Sequence, residues 1–182
     1  MIRGCVLAVL VACLPALALA GEEASPPPPA LEITYVANEG FLVQAAGRKI
    51  AIDTFFEGET IDWCDAPAPG TVEKMRSAKG PFEGIDLILV THGHVDHFSP
   101  GLVLAHLSSN PKTVVVASPQ VTSRLRSDPA WNDRYETRIR KIDVPLFGSR
   151  EVTVDGIRVE AHRIRHGAYM IKDEATGRER NK

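Results

Sequence analysis

The stretch IDLILVTHGHVDHFSP, residues 85–100, joins a continuous apolar run to a cluster of metal-binding side chains. The apolar run is typical of a strand that is buried on both faces of a sheet. The residues that follow it and can bind a metal are His92, His94, Asp96 and His97. Ser99 and Pro100 then form an N-cap and first-turn proline pattern, which predicts a helix. A strand end on one side and a helix start on the other would hold the cluster in place.

The spacing within the cluster favours a metal site. His92 and His94 are two residues apart, so an extended backbone would point both imidazoles to the same side. Asp96 and His97 follow where the chain bends and can face a second point. Imidazole and carboxylate suit zinc, and also iron or manganese, and two divalent ions roughly 3.5–4 Å apart could share a hydroxide. A structural zinc site usually has cysteine ligands, which the cluster lacks, so the pattern favours a catalytic metal.

Short β-rich runs lead up to this stretch. LEITYVA, GFLVQAA and KIAIDTF are separated by turn signals and predict an antiparallel meander with one apolar face, its third strand ending at Asp53. Residues 57–80 are rich in Gly, Pro and acidic residues and predict a surface excursion, with a short helix at Thr71–Ser77.

Helices and strands alternate after the cluster. The helix PGLVLAHLSS is followed by the buried run TVVVAS, and Ser118-Pro119 repeats the cap-and-proline signal before a second helix. Asp155-Gly156 lies between two strand-like runs and predicts a β-hairpin. The order of elements predicts an α/β fold in which helices pack outside sheet layers.

The first 30 residues are not expected to join the fold. Residues 1–20 are apolar and end in the small-residue pattern Ala18-Leu19-Ala20, which predicts a signal peptide and a periplasmic or secreted protein. The run is too short to predict a stable membrane span. Acylation at Cys13, as in a lipoprotein, is the second-ranked alternative. Residues 21–30 form a proline-rich linker, and residues 31–182 form the domain.

Composition narrows the classes of partner. The net charge is −2 and no basic stripe is present, so we expect a small-molecule substrate rather than nucleic acid. Cys64 is the one cysteine after the signal, so no internal disulfide is expected. We interpret Cys64, and His106 on the predicted helix, as ordinary residues.

The cluster also carries a family resemblance. THGHVDHF resembles the HxHxDH signature of the metallo-β-lactamase superfamily. ITYVANEGFLVQAAGRKIAIDTFF is similar to the opening hairpins of the branch related to ascorbate-phosphate lactonases and phospholipase-D-like hydrolases. VDGIRVEAHRIRHG resembles the strand that carries the next metal-binding histidine. The likeness covers residues 31 to about 167 and implies an αββα sandwich.

The resemblance also implies roles for individual residues. His92, His94 and a later histidine would hold a first metal, and Asp96 and His97 a second. The later histidine is His162 or His166; we favour His166, because ligands in such sandwiches come from strand ends.

The implied reaction is hydrolysis of an ester, lactone or phosphodiester-type bond by a metal-activated water. Asp96 would orient the water and accept its proton. Asp53 is expected to bond to the histidine loop rather than to the metal.

The family pattern calls for an aspartate and a histidine after the His166 strand. The final stretch contains no histidine, and Asp173 does not end an apolar strand. We therefore expect the N-terminal half of the sandwich, in a chain truncated after its third metal motif. An unpaired sheet face would then favour self-association. The alternative function is a non-catalytic metal-binding or partner-binding remnant of such a hydrolase.

Overall fold

The computed structural model describes residues 31–58, 64–165, 170–172 and 179–181. The predicted signal peptide and linker, and the residues His166 and Asp173, lie outside these ranges. The helices of the described part include none long and apolar enough to cross a bilayer.

A six-stranded mixed sheet organises the domain. Its strands lie side by side in chain order: β1 Leu31–Ala37, β2 Gly40–Ala45, β3 Arg48–Ile52, β4 Leu87–Val90, β5 Val114–Ala117 and β6 Ile139–Lys141. The first three strands are antiparallel, as the turn signals predicted. From β3 to β6 the pairing is parallel, because each connection crosses over and returns to the same edge.

Three helices supply these connections: α1 Pro69–Arg76, α2 Pro100–Ser109 and α3 Pro119–Arg126. Each begins with proline, whose missing N–H costs nothing in the first turn. The cap at Ser118 is as predicted, since its side chain accepts from Val121 N. Ser99 does not cap α2 through its side chain; its Oγ instead accepts from Glu57 N at 3.1 Å.

The helices bury one face of the sheet. Met75 of α1, Leu102 of α2 and Leu125 of α3 are fully buried in one apolar cluster with the sheet residues Ala51 and Val115. The alternation of side chains along β4 and β5 sends the other residues of these strands to the opposite face.

A β-hairpin covers the centre of that opposite face. It consists of β7 Ser149–Val154 and β8 Ile157–His162, joined at Asp155 and Gly156, which both have positive φ. Its apolar residues, among them Val154, pack against residues of the sheet such as Leu87 and Val116. Helices, sheet and hairpin form three layers, and the predicted α/β class is confirmed. A further pair, β9 Met170–Lys172 and β10 Glu179–Asn181, is antiparallel.

The same face continues, exposed, over β1 and β2 among the described residues. Leu31, Ile33 and Tyr35 point to one side of β1 and are 56%, 59% and 63% exposed. Ile33 of β1 pairs with Val43 of β2, and Val43 pairs with Ile50 of β3. Ile50 packs against the hairpin cluster and is partly buried. The hairpin thus covers only part of this face, and self-association through the remainder stays a prediction.

Among the described residues, three strands were not predicted: β6, β9 and β10. Ile139–Lys141 forms β6 at the edge of the sheet, although only Ile139 of the three is buried. A three-residue run with one inward apolar side chain is too short to give a period-2 signal. Parallel pairing to β5 makes it a strand.

His106 of α2 lies in the core, where it contacts α1. It is 0% exposed, its Nδ1–H donates to the Met75 carbonyl at 2.7 Å, and its ring meets the edge of Phe55 at 4.7 Å. Burial lowers the pKa of His106, although the bond to Met75 opposes this, and the positive charge of Arg138 lowers it further.

We expect this histidine to make the fold acid-sensitive. Above the unfolded-state pKa of about 6.5 both states are neutral and the stability is complete. Below a pH of about 6.5 the imidazole binds a proton in the unfolded chain but stays neutral in the folded protein. The free energy of unfolding therefore falls by up to about 1.4 kcal/mol per pH unit, until the pH reaches the lowered pKa of the folded state. Urea unfolding of metal-free protein from pH 7 to pH 5 measures this slope. His106→Gln should have the shallower slope; equal slopes would contradict the assignment.

Candidate metal centre

The loop between β4 and α2 gathers the predicted cluster. The backbone N–H groups of His97 and Phe98 donate to the His94 carbonyl at 3.2 and 3.0 Å, which closes a tight turn. The ring of His92 therefore lies 4.5 Å from the ring of His94 and 4.1 Å from that of His97, between centroids. Three imidazoles that are separate in sequence form one group.

The group has a closed side and an open side. His97 and Asp96 are buried, at 4% and 9% exposure, whereas His92 is half-buried and His94 is exposed. The group is therefore exposed at His94 and held by the fold at His97.

Asp53 holds the loop from the end of β3. Its φ of 46° is left-handed, a conformation that aspartate tolerates better than most residues, and its N–H donates to the Leu89 carbonyl at 3.0 Å. Its Oδ1 accepts from Thr91 N at 2.8 Å, and its Oδ2 accepts from Thr91 Oγ1 at 2.5 Å and lies 3.0 Å from His97 Nδ1. These bonds agree with the expectation that Asp53 would contact the histidine loop.

The same bonds define the tautomers of two histidines. A carboxylate only accepts, so the Nδ1–H of His97 donates to Asp53. The single hydroxyl proton of Thr91 is also given to Asp53, so Thr91 Oγ1 accepts from His92 Nδ1–H, 3.1 Å away. Both imidazoles then carry a proton on Nδ1, and a histidine in this tautomer binds a metal through Nε2.

Two further carboxylates face the Nε2 atom of His97. Asp96 Oδ2 lies 3.4 Å and Glu39 Oε2 3.5 Å from it. Asn38 fixes the first of these, since its amide donates to the backbone carbonyl and to Oδ2 of Asp96 at 3.2 and 3.3 Å.

The charges around His97 favour a cation. Burial by itself would lower the pKa of His97, but the hydrogen bond to Asp53 and the negative charges of Asp53, Asp96 and Glu39 outweigh it and raise the pKa. A site that draws a proton to Nε2 in this way also attracts a divalent cation, which binds the unprotonated nitrogen.

The donor set fits a metal ion. Glu39, Asp53 and His97 each offer a ligand atom, and these atoms lie within 4.8 Å of one another; within the described ranges this is the group of three that meets that criterion. Nitrogen and oxygen donors of this kind suit zinc, iron or manganese.

The third histidine cannot be assigned from the described residues. His166 lies outside them. His162 ends β8 with its side chain 65% exposed, and its Nε2 lies 3.3 Å from Glu160 Oε1. We favoured His166 because it was expected to end the strand, but β8 ends at His162.

Glu39 is the site residue that sequence reasoning missed. It stands in the sequence NEG, which was interpreted only as the turn between β1 and β2. An isolated glutamate in a turn has no spacing relative to the distant cluster, so pattern analysis could not connect the two.

Cys64 and Arg124 lie around the centre. Cys64 is buried; burial first, and then the charges of Asp96, Asp65 and Glu39, raise the pKa of its thiol, which agrees with its interpretation as an ordinary residue. Arg124 of α3 donates to the Gly93 carbonyl, and its guanidinium lies 5.4 Å from the centroid of the Phe98 ring. Helix α3 thus supports the loop from outside.

Comparison with protein families gives one matching domain. Residues 48–180 match a family model described as the β-lactamase superfamily domain. The match includes Asp53 and the entire β4–α2 loop.

Individual relatives carry two kinds of name. A UPF0173 metal-dependent hydrolase of Rubrobacter xylanophilus is 26% identical over 145 residues, covering 79% of this chain and 49% of that protein. One from Herpetosiphon aurantiacus is 34% identical over 85 residues, or 46% and 30% of the two chains. A ribonuclease Z of Archaeoglobus fulgidus is 28% identical over 159 residues, or 81% and 50%. The chain thus spans half or less of the length of these relatives.

Proposed function

Because the chain belongs to the metallo-β-lactamase superfamily, and within it resembles metal-dependent hydrolases, we propose that it hydrolyses an ester, lactone or phosphodiester-type bond of a small molecule with a metal-activated water. Membership also confirms the resemblance noted in the sequence. The bond type and the residue roles are our proposal.

The observation that carries the proposal is the hydrogen-bond chain from His92 through Thr91 and Asp53 to His97. A histidine that is only solvated needs no fixed tautomer. Here a buried carboxylate, whose burial is costly, orients His97 directly and His92 through the Thr91 hydroxyl. Such orientation of metal-binding histidines by a carboxylate is common in metal sites.

Each residue of the site has a part in the reaction. His92 and His94, with His166 as the third histidine, would bind one ion, and Asp96 and His97 would bind a second. When bound, zinc or a similar ion polarises the substrate oxygen and lowers the pKa of water to about 7. Asp96 would orient the attacking water and accept its proton. The exposed side of His94 gives the substrate its access.

Two further points remain proposals. We propose a periplasmic or secreted location, supported by the pattern of residues 1–20, with an anchor at Cys13 as the alternative. RNA is a second candidate substrate, because one relative is named ribonuclease Z. The net charge of −2 favours a small-molecule substrate over RNA.

A direct test measures metal content and turnover together. The purified full chain is loaded with zinc, iron or manganese and assayed with bis-p-nitrophenyl phosphate, a γ-lactone, p-nitrophenyl acetate and a structured RNA. We expect bound metal and chelator-sensitive turnover of one of the small substrates. Metal binding without any turnover would favour the non-catalytic remnant, and turnover of RNA alone would replace the small-molecule substrate.

A further inference from the structure

The turn between β1 and β2 lies against the β4–α2 loop, and specific contacts hold it there. Ala37 and Gly40 pair across it, so that Asn38 and Glu39 form its two-residue tip. Asn38 adopts a left-handed φ of 46°, which asparagine tolerates. Its side chain donates two hydrogen bonds to Asp96.

Gly40 allows the close approach on the other side of the tip. A Cβ atom at this position would lie 2.9 Å from the Ala37 carbonyl oxygen, 3.1 Å from that of Asp53 and 3.1 Å from Thr54 Cα. All three are backbone atoms, which cannot move aside as a flexible side chain would. Thr54 Oγ1 then donates to the Phe41 carbonyl at 2.9 Å and ties the next residue of β2 to the same segment.

Glu39 is held between these two anchors. Its side chain is 68% exposed, yet its carboxylate reaches to 3.5 Å from the Nε2 atom of a histidine that is 5% exposed. The approach brings a third carboxylate to this buried ring. Since the Nδ1 atom of His97 is already bonded to Asp53, the approach is to the one nitrogen that can bind a metal.

The three carboxylates around His97 divide into two roles. Asp53 uses Oδ1 for Thr91 N and Oδ2 for Thr91 Oγ1 and His97 Nδ1, so its oxygens serve to orient. Asp96 and Glu39 instead face Nε2, at 3.4 and 3.5 Å. Ligands of one ion must surround that ion. Of the three carboxylates, only Asp96 and Glu39 lie beside Nε2 of His97, the atom that would bind it.

We propose that Glu39, from the β1–β2 turn, is a ligand of the second metal together with Asp96 and His97. This inference rests on the proposed function, because it assigns a ligand to one of its two ions. It gives that ion three protein donors within the described residues, where the sequence had offered two. The ion would therefore link the β1–β2 turn to the β4–α2 loop.

Zinc titration of the full chain by isothermal calorimetry tests the assignment. The metal-free wild type should bind two zinc equivalents. Glu39→Gln keeps the size and the hydrogen-bonding reach of the side chain but removes its charge and weakens its ligation. We expect one equivalent to bind as in the wild type and the second at least tenfold more weakly. The absorption spectrum of the cobalt-substituted protein should change in parallel for the second equivalent.

Glu32→Gln is the matched control, because Glu32 is an exposed glutamate of the same hairpin. It should bind both ions as the wild type does. Two unchanged equivalents in Glu39→Gln, or a single zinc in the wild type, would overturn the role of Glu39 and leave a one-ion hydrolase standing. A wild type that binds no zinc, iron or manganese at all would overturn the proposed function itself and this ligand with it.

Discussion

Asp53→Asn is expected to weaken metal binding 10- to 100-fold and to reduce turnover with it. Asparagine keeps the left-handed backbone conformation, and its carbonyl oxygen can still accept from Thr91 N. Its amide group, however, replaces the oxygen that accepts from His97 and Thr91. The amide donates, so Nδ1 of His97 must accept and the ring proton moves to Nε2, where it blocks the lone pair that would bind the ion.

The effect should be visible without any metal. At alkaline pH, where the rings are neutral, ¹⁵N chemical shifts should show the Nδ1–H tautomer for His92 and His97 in the wild type and the Nε2–H tautomer for His97 in the variant. The free energy of unfolding should also fall, by about 1–3 kcal/mol, since a buried group loses its partner.

Asp86→Asn is a matched control. Asp86 also accepts from a backbone N–H across the sheet, that of Lys49 at 2.8 Å, but it contacts no histidine of the site. Its replacement should leave metal affinity unchanged. Wild-type affinity and an unchanged His97 tautomer in Asp53→Asn would show that Asp53 does not orient the site.

His94→Ala should separate function from folding most sharply. The side chain is exposed, so its removal should change the stability of the metal-free protein by no more than about 0.5 kcal/mol. The turn of the loop should survive, because His97 and Phe98 bond to the His94 backbone carbonyl. Loss of one of three ligands of a catalytic ion should reduce kcat/KM by at least about 10³-fold, or about 4 kcal/mol of transition-state stabilisation.

Val95→Ala controls for disturbance of the loop. Val95 is 65% exposed and adjacent to His94, and it cannot bind a metal. It should retain both activity and metal content. If His94→Ala retained wild-type kcat/KM with its metal bound, His94 would not be a ligand and the assignment of the first ion would be wrong.

The sequence predicted the parts of the fold that have a strong local signal. The apolar run of β4 was identified because strands buried on both faces are continuously apolar. Helices α2 and α3 were identified because a serine precedes each and a proline begins it. The hairpin of β7 and β8 followed from Asp155-Gly156, whose positive φ angles suit that turn. By contrast, β6 carries almost no signal of its own and exists because β5 offers an edge to pair with.

In the site, too, local sequence predicted some residues and tertiary structure positioned the others. Residues 92–97 lie within one loop, so their spacing predicted the cluster, and the turn at the His94 carbonyl brings the three imidazoles together. The roles of Asp53 and Glu39 were decided by tertiary structure. Both lie more than 30 residues from the cluster, and only the parallel pairing of β3 with β4 and the tight contact of the β1–β2 turn bring their carboxylates to opposite nitrogens of one ring. Local spacing therefore determined which residues can bind a metal. Packing of distant strands decided which nitrogen each carboxylate faces, since that depends on directions that no sequence interval encodes.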